Sequence, residues 1–322
     1  MAERLLKLAG LALMLMALSV SLMRAPERPV HSLVARWAPP PSDFMELEGP
    51  VWQGQLVHLR DTGPREDRLP LVLLHGTGSS LHTWEGWTAA LERERRVISL
   101  DLPGFGLTGP SLRDDYSADA DVDFVLAVLD RLGVRRFVAA GNSLGGEVAW
   151  RLALQAPERV RGLVLVDAAG LPLPEGLPWF TRLGHLPGVL PAVGQLTEWL
   201  LPRALVEQAL QRLWGDPHAV GSALVDRHFE LLLREGNRRA LAHRLQQWRP
   251  GSAAARLGEI GVPTLVLWGG RDPLIPIEQG RQLAAAIPGS EFVAFPALGH
   301  LPQEEAPALT VAPVRRFLAE RR

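Results

Sequence analysis

Cysteine is absent from all 322 residues, which excludes thiol catalysis, disulfides, thiolate metal sites and lipid attachment through an N-terminal cysteine. The redox state of the compartment stays open. Lysine is nearly absent as well: Lys7 is the single lysine and arginine makes up the rest of the 34 basic residues. A catalytic lysine, a pyridoxal Schiff base and a Walker-type phosphate loop are thereby excluded from the folded part. The net charge is −1, with no long run of one sign, so there is no electrostatic footprint for nucleic acid. Tyrosine occurs once, at Tyr116.

With 47% hydrophobic and 21% charged residues, the chain can bury a large core, and its length fits one sizeable domain carrying an insertion. Residues 8–23 form an uncharged apolar run preceded by Arg4 and Lys7. As a helix it is about 24 Å long, against roughly 30 Å for a hydrocarbon core. The reading adopted for residues 1–24 is an uncleaved membrane anchor that leaves the domain facing the exterior or periplasm. Cleavage as a signal segment, followed by export, is the alternative. Residues 25–42, with Pro39-Pro40-Pro41, read as a semi-extended linker, and the folded domain is expected over residues 43–322.

From there strands and helices alternate. Apolar runs at 69–74, 97–100, 137–140 and 160–166 read as buried strands, with helices near 84–92 and 121–132 between them. That spacing predicts a mostly parallel sheet with helices on both faces. The alternation stops between about 170 and 261, where prolines and then helical patterns at 204–213, 219–234 and 238–248 predict an inserted helical cap. Caps cover ligand sites and exclude water. Trp179, Phe180, Leu183, Leu190, Trp199, Leu200, Leu201 and Trp214 could line an apolar pocket there, although packing of the cap onto the core accounts for most such residues. The sheet pattern resumes at 264–268 and 291–295.

Gly141-Asn142-Ser143-Leu144-Gly145 lies between an apolar strand and a helix, the setting that a G-x-S-x-G elbow requires. Ser143 would stand exposed on a strained turn, and the Leu144 N–H, at a helix N-terminus, would face charge developing on an attacked carbonyl. Three further stretches follow the same logic: Leu74-His75-Gly76-Thr77-Gly78, Gly269-Gly270-Arg271-Asp272 and Leu298-Gly299-His300. With Asp101-Leu102-Pro103-Gly104-Phe105-Gly106 they make residues 43–322 resemble the α/β-hydrolase superfamily.

The resemblance implies a triad in the order serine, acid, histidine: Ser143 as nucleophile, Asp272 as acid and His300 as base. It also implies an oxyanion hole built from the backbone N–H groups of Thr77 and Leu144. Asp167, ending the strand at 160–166, is the second choice for the acid, and Asp101 reads as structural. Dehalogenases and epoxide hydrolases of this fold use aspartate where Ser143 stands. Epoxide hydrolases also use cap tyrosines, whereas Tyr116 precedes the cap. The elbow is similar to that of meta-cleavage-product hydrolases, which cut carbon–carbon bonds, but Thr77-Gly78-Ser79-Ser80 departs from their oxyanion loop. The expectation is therefore a serine hydrolase acting on a small apolar carboxylic ester, with water as second substrate and no cofactor or metal. Carbon–carbon hydrolysis and non-catalytic ligand binding are the alternatives.

Overall fold

The computed structural model describes residues 23–172 and 200–320, together with Arg4, Lys7, Gly10 and Met14. Helix α1 (His31–Trp37) precedes strands β1 (Ser42–Glu46), β2 (Leu56–Thr62) and β3 (Leu71–Leu74). Next come α2 (Glu85–Leu91), β4 (Val97–Leu100), α3 (Ala118–Arg131), β5 (Phe137–Asn142), α4 (Leu144–Gln155) and β6 (Val160–Val166). Helices α5 (Arg203–Leu213), α6 (Ser222–Leu232) and α7 (Asn237–Gln247) stand between β6 and β7 (Thr264–Gly269). The chain closes with α8 (Ile277–Ala286), β8 (Glu291–Phe295), α9 (Pro302–Glu305) and α10 (Pro307–Ala319).

The strands form one sheet in the order β1-β2-β4-β3-β5-β6-β7-β8. β2 runs antiparallel to both its neighbours, and every pair from β4 onward is parallel. Burial explains the lack of apolar alternation: β3, β4, β5 and β7 are buried at every residue because both faces are covered. Successive side chains still divide between the faces. Val72, Leu74, Ala139, Leu163 and Leu165 pack with Val125, Val148 and Leu152 from α3 and α4. Leu71, Leu73, Val138, Ala140 and Val164 pack instead with Trp87, Val314 and Phe317 from α2 and α10. The expected mostly parallel α/β sheet with helices on both faces is what the chain builds.

The proline-rich stretch is not an extended spacer. Residues 31–37 contain no proline and form α1, whose Leu33 packs against Leu107 and Leu231. Arg28 exchanges backbone hydrogen bonds with Leu233 and Glu235, and Arg36 and Trp37 donate to Glu230 of α6. On the sheet side, His82 Nε2 donates to the Trp37 carbonyl at 2.7 Å. The segment thus joins cap to sheet.

The membrane-anchored, exterior-facing placement is corrected. Among the described residues no helix is long and apolar enough to cross a membrane. Most of the run 8–23 lies outside those residues. The chain from Met23 onward is already folded onto the domain: the Leu201 N–H donates to the Met23 carbonyl.

Of the expected cap, residues 173–199 lie outside the described ones, and with them Trp179, Phe180, Leu183, Leu190 and Trp199. Leu201 packs with Val206, Leu210 and Val225 inside the cap, and Trp214 is buried. Helix α7 is held to the sheet domain by Arg244, which pairs with Asp121 and donates to the carbonyls of Pro103 and Tyr116. Breaking a buried pair of this kind leaves an uncompensated charge, which costs about 3–5 kcal/mol.

Candidate active site

Five loops meet beyond the carboxyl ends of the parallel strands, where ligands bind in open α/β sheets. They follow β3, β5, β6, β7 and β8, and they carry Thr77, Ser143, Asp167, Asp272 and His300 respectively.

Ser143 is buried, not exposed as expected, and has φ 52° and ψ −118°, a left-handed conformation that costs a non-glycine residue about 1–3 kcal/mol. Its surroundings hold it there. The Ser143 N–H donates to the Val166 carbonyl, while its own carbonyl accepts from Gly146, Glu147 and Ala169. The flanking glycines allow α4 to start this close to the sheet: a Cβ on Gly141 would lie 2.0 Å from the Gly145 carbonyl oxygen. One on Gly145 would lie 2.1 Å from that of Leu74. Leu144 is the first residue of α4, so its N–H has no acceptor within the helix and sits at the positive end of the helix dipole.

The loop after β3 abuts the elbow, since a Cβ on Gly76 would meet the Ser143 Cβ at 3.0 Å. Thr77 comes next and is exposed. Hydrogen bonds fix the loop from behind. His75 donates from Nδ1 to the Gly76 carbonyl at 2.8 Å and accepts the Leu102 N–H at Nε2, so its tautomer is set. Asp101 accepts from the N–H groups of Leu81 and Leu107 and from His58 Nδ1. Burial pushes its carboxyl up, but His58, His75 and His82 outweigh that and hold it below the usual carboxylate range. This is the structural role expected of Asp101.

His300 and Asp272 meet at 2.6 Å, Nδ1 to Oδ2, both buried. The other Asp272 oxygen, Oδ1, accepts from the N–H groups of Leu274 and Ile275, which closes the turn before α8. With the Nδ1 proton of His300 engaged, Nε2 carries the lone pair that can act as base. The His300 backbone is anchored twice: its N–H donates to the Leu213 carbonyl at 2.7 Å and its carbonyl accepts from Asn142 Nδ2 at 3.0 Å.

Asn142 thus ties the histidine loop directly to the elbow. It was legible only as a letter of the motif, although a buried amide ending the apolar strand Phe137-Val138-Ala139-Ala140 was a signal for such a tie. Glu305 gave no sequence signal. Its carboxylate accepts from the N–H groups of Gly215 and Gly299, joining the end of α5 to the loop that carries His300.

Two further histidines near the site, His82 after β3 and His228 on α6, are buried. His228 donates from Nδ1 to the Gly78 carbonyl, and burial, then Arg227, lower its pKa from 6.5 to about 4. His82 is likewise lowered from 6.5 to about 4, by burial first and then by Arg60 and Arg227 against the pull of Asp101. The unfolded chain takes up these protons near 6.5 and the folded chain near 4, so the unfolded state binds more protons in between. Stability is therefore full above pH 6.5 and falls as pH drops toward 4, by on the order of 3 kcal/mol per histidine. Urea midpoints at about pH 7 and about pH 4.5 test this. The expected result is a much lower midpoint at pH 4.5 than at pH 7, with a smaller gap between the two in His82→Gln or His228→Gln; equal wild-type midpoints would contradict it.

With the fold and this geometry in view, the chain belongs to the alpha/beta hydrolase fold family, whose model matches residues 70–307. It is 31% identical over 280 residues, 83% of this chain and 92% of the relative, to a 2-hydroxymuconate semialdehyde hydrolase of Pseudomonas sp. (strain CF600). It is 34% identical over 274 residues, 81% of this chain and 67% of the relative, to the dihydrolipoyllysine-residue acetyltransferase component of an acetoin cleaving system of Pseudomonas putida. Among solved structures it is similar to a hydrolase from Pseudomonas aeruginosa PA01, with TM-score 0.71, 30% identity, and coverage of 87% of this chain and 98% of that one. These names span more than one reaction, so the family leaves the scissile bond open.

Proposed function

We propose that this protein is a serine hydrolase that cleaves a small apolar carboxylic ester through an acyl-enzyme on Ser143. The observation that carries the reading is the buried 2.6 Å contact between His300 and Asp272, on a loop that Asn142 ties to an elbow whose backbone geometry is strained at Ser143. In the first half-reaction, Ser143 Oγ attacks the ester carbonyl carbon while His300 Nε2 takes its proton. The oxyanion is met by the N–H groups of Thr77 and Leu144, each contributing roughly 2.7–4 kcal/mol in sites of this kind. The alcohol departs with the proton from His300, and water repeats the sequence to release the acid and restore Ser143.

The loop Thr77-Gly78-Ser79-Ser80, which departs from the oxyanion loop of meta-cleavage-product hydrolases, favours an ester over the carbon–carbon reading. The identity itself favours carbon–carbon hydrolysis as the second reading. Comparing kcat/KM for a series of p-nitrophenyl acyl esters with that for a 2-hydroxy-6-oxo-dienoate decides between them. An advantage of about a hundredfold or more for the best ester is expected. A comparable advantage for the dienoate would replace the ester reading with the other.

A further inference from the structure

Asp167 directly follows β6 with its side chain fully buried, in the left-handed conformation at φ 43°. Its backbone N–H is held by the Leu267 carbonyl, and its Oδ1 accepts the Gly269 N–H at 2.9 Å. Among the described residues nothing donates to its Oδ2, although that atom is shut off from water. Atoms of Asp167, Asp272 and His300 lie within 4.8 Å of one another. These three could suggest a cation site, but their donor atoms are largely spoken for. Asp272 accepts from His300, Leu274 and Ile275, and Asp167 Oδ1 from Gly269, so Asp167 Oδ2 is the carboxyl oxygen left over.

Two carboxylates this close in a dry interior repel, and one of them holds its proton. Asp272 faces three donors and Asp167 one, so the proton belongs on Asp167. We propose that Asp167 is a neutral carboxylic acid whose Oδ2–H donates to the Asp272 carboxylate, making it the positioning residue that aims Asp272 at His300. Burial, and then the charge of Asp272, push its carboxyl well above the usual carboxylate range, with Glu305 adding to the effect and the Gly269 N–H opposing it. A neutral donor fixes the carboxylate without cancelling the charge that stabilises the imidazolium. An ionised Asp167 would instead repel Asp272 out of line.

The inference rests on the triad reading and is tested with Asp167→Ala, Asp167→Asn and the wild-type chain. Asp167→Ala is expected to lower kcat by about 10- to 100-fold with KM little changed, the range seen when a group behind a catalytic ligand is removed. Asp167→Asn presents an amide N–H to Asp272 and an oxygen to Gly269, and it is expected to recover most of that loss. Infrared difference spectra at neutral pH, with isotope-labelled aspartate, are expected to show a protonated-carboxyl stretch in the wild type that Asp167→Asn removes. They decide the matter even if the alanine variant fails to fold. No such band in the wild type, or an asparagine variant as impaired as the alanine one, overturns the proposal. Protein that shows the band but proves inert toward esters would count against the triad reading and leave the Asp167–Asp272 bond standing.

Discussion

Ser143→Ala is expected to lower kcat by about 10⁵- to 10⁶-fold while the folded state survives unchanged. The size of the loss follows from the division of labour at the site. Without the hydroxyl there is no acyl-enzyme, and His300 has nothing to deprotonate except water. What remains is whatever the Thr77 and Leu144 N–H groups contribute to a direct attack by water, about 10³- to 10⁴-fold over solution. The stability forecast is equally specific. Alanine keeps the Cβ and hence the strain at φ 52°, and the backbone bonds from Gly146, Glu147 and Ala169 do not involve the hydroxyl. Thermal unfolding should therefore coincide with the wild type within a few degrees, whereas Ser143→Gly, which relieves the strain, should be the more stable of the two. A variant that loses activity through unfolding would contradict this account as directly as one that retains it.

Asp272→Asn carries the second-largest expected effect, a fall of about 10⁴-fold in kcat. An amide is nearly the same shape as a carboxylate, but here its orientation is dictated. The N–H groups of Leu274 and Ile275 require an acceptor at the Oδ1 position, so the amide oxygen must sit there. The amide nitrogen is then forced into the Oδ2 position, 2.6 Å from His300 Nδ1 in the wild-type geometry. It donates to that ring nitrogen, which places the imidazole proton on Nε2, and a protonated Nε2 cannot accept from Ser143. The turn before α8 is preserved, so folding is unaffected. Steady-state kinetics with an activated ester, alongside thermal unfolding, tests both halves. Retention of about a tenth or more of the wild-type kcat would mean that another group orients His300.

The sequence carried the sheet well, because its strands are short apolar runs buried on both faces and bounded by polar turns. β4 and β6 fall where their apolar runs predict them, at 97–100 and 160–166. The helical patterns of α5, α6 and α7 are likewise marked by amphipathic spacing. Strand order was another matter: nothing local to Val97–Leu100 says that it lies between β2 and β3. Helix α1 was hidden by composition. Prolines on both sides of residues 31–37 suggested an extended chain, while the contacts that make the helix worthwhile, to Leu231, Glu230 and His82, come from distant parts of the sequence.

The site divides along the same line. Ser143, Asp272 and His300 were picked out by short motifs that the resemblance to the α/β-hydrolase superfamily orders as serine, acid and histidine. Asp272 and His300 do meet. What no motif announced was the set of groups behind them: Asn142 and Leu213 anchoring the histidine loop, Glu305 joining it to α5, and His228 bracing the loop that holds Thr77. Each of these roles depends on a pairing across the chain, such as the 150 positions between His228 and Gly78, which spacing cannot encode. The membrane-anchored placement failed for a different reason. An apolar run was read by its composition, whereas among the described residues no helix is long and apolar enough to cross a membrane.

The most direct test of the central claim is covalent labelling of the purified protein with a serine-directed fluorophosphonate, read by intact mass and site mapping. The account predicts one adduct per chain, on Ser143, absent from Ser143→Ala and strongly slowed in His300→Ala. A folded wild-type protein that takes up no label, or takes it up on another serine, would contradict it.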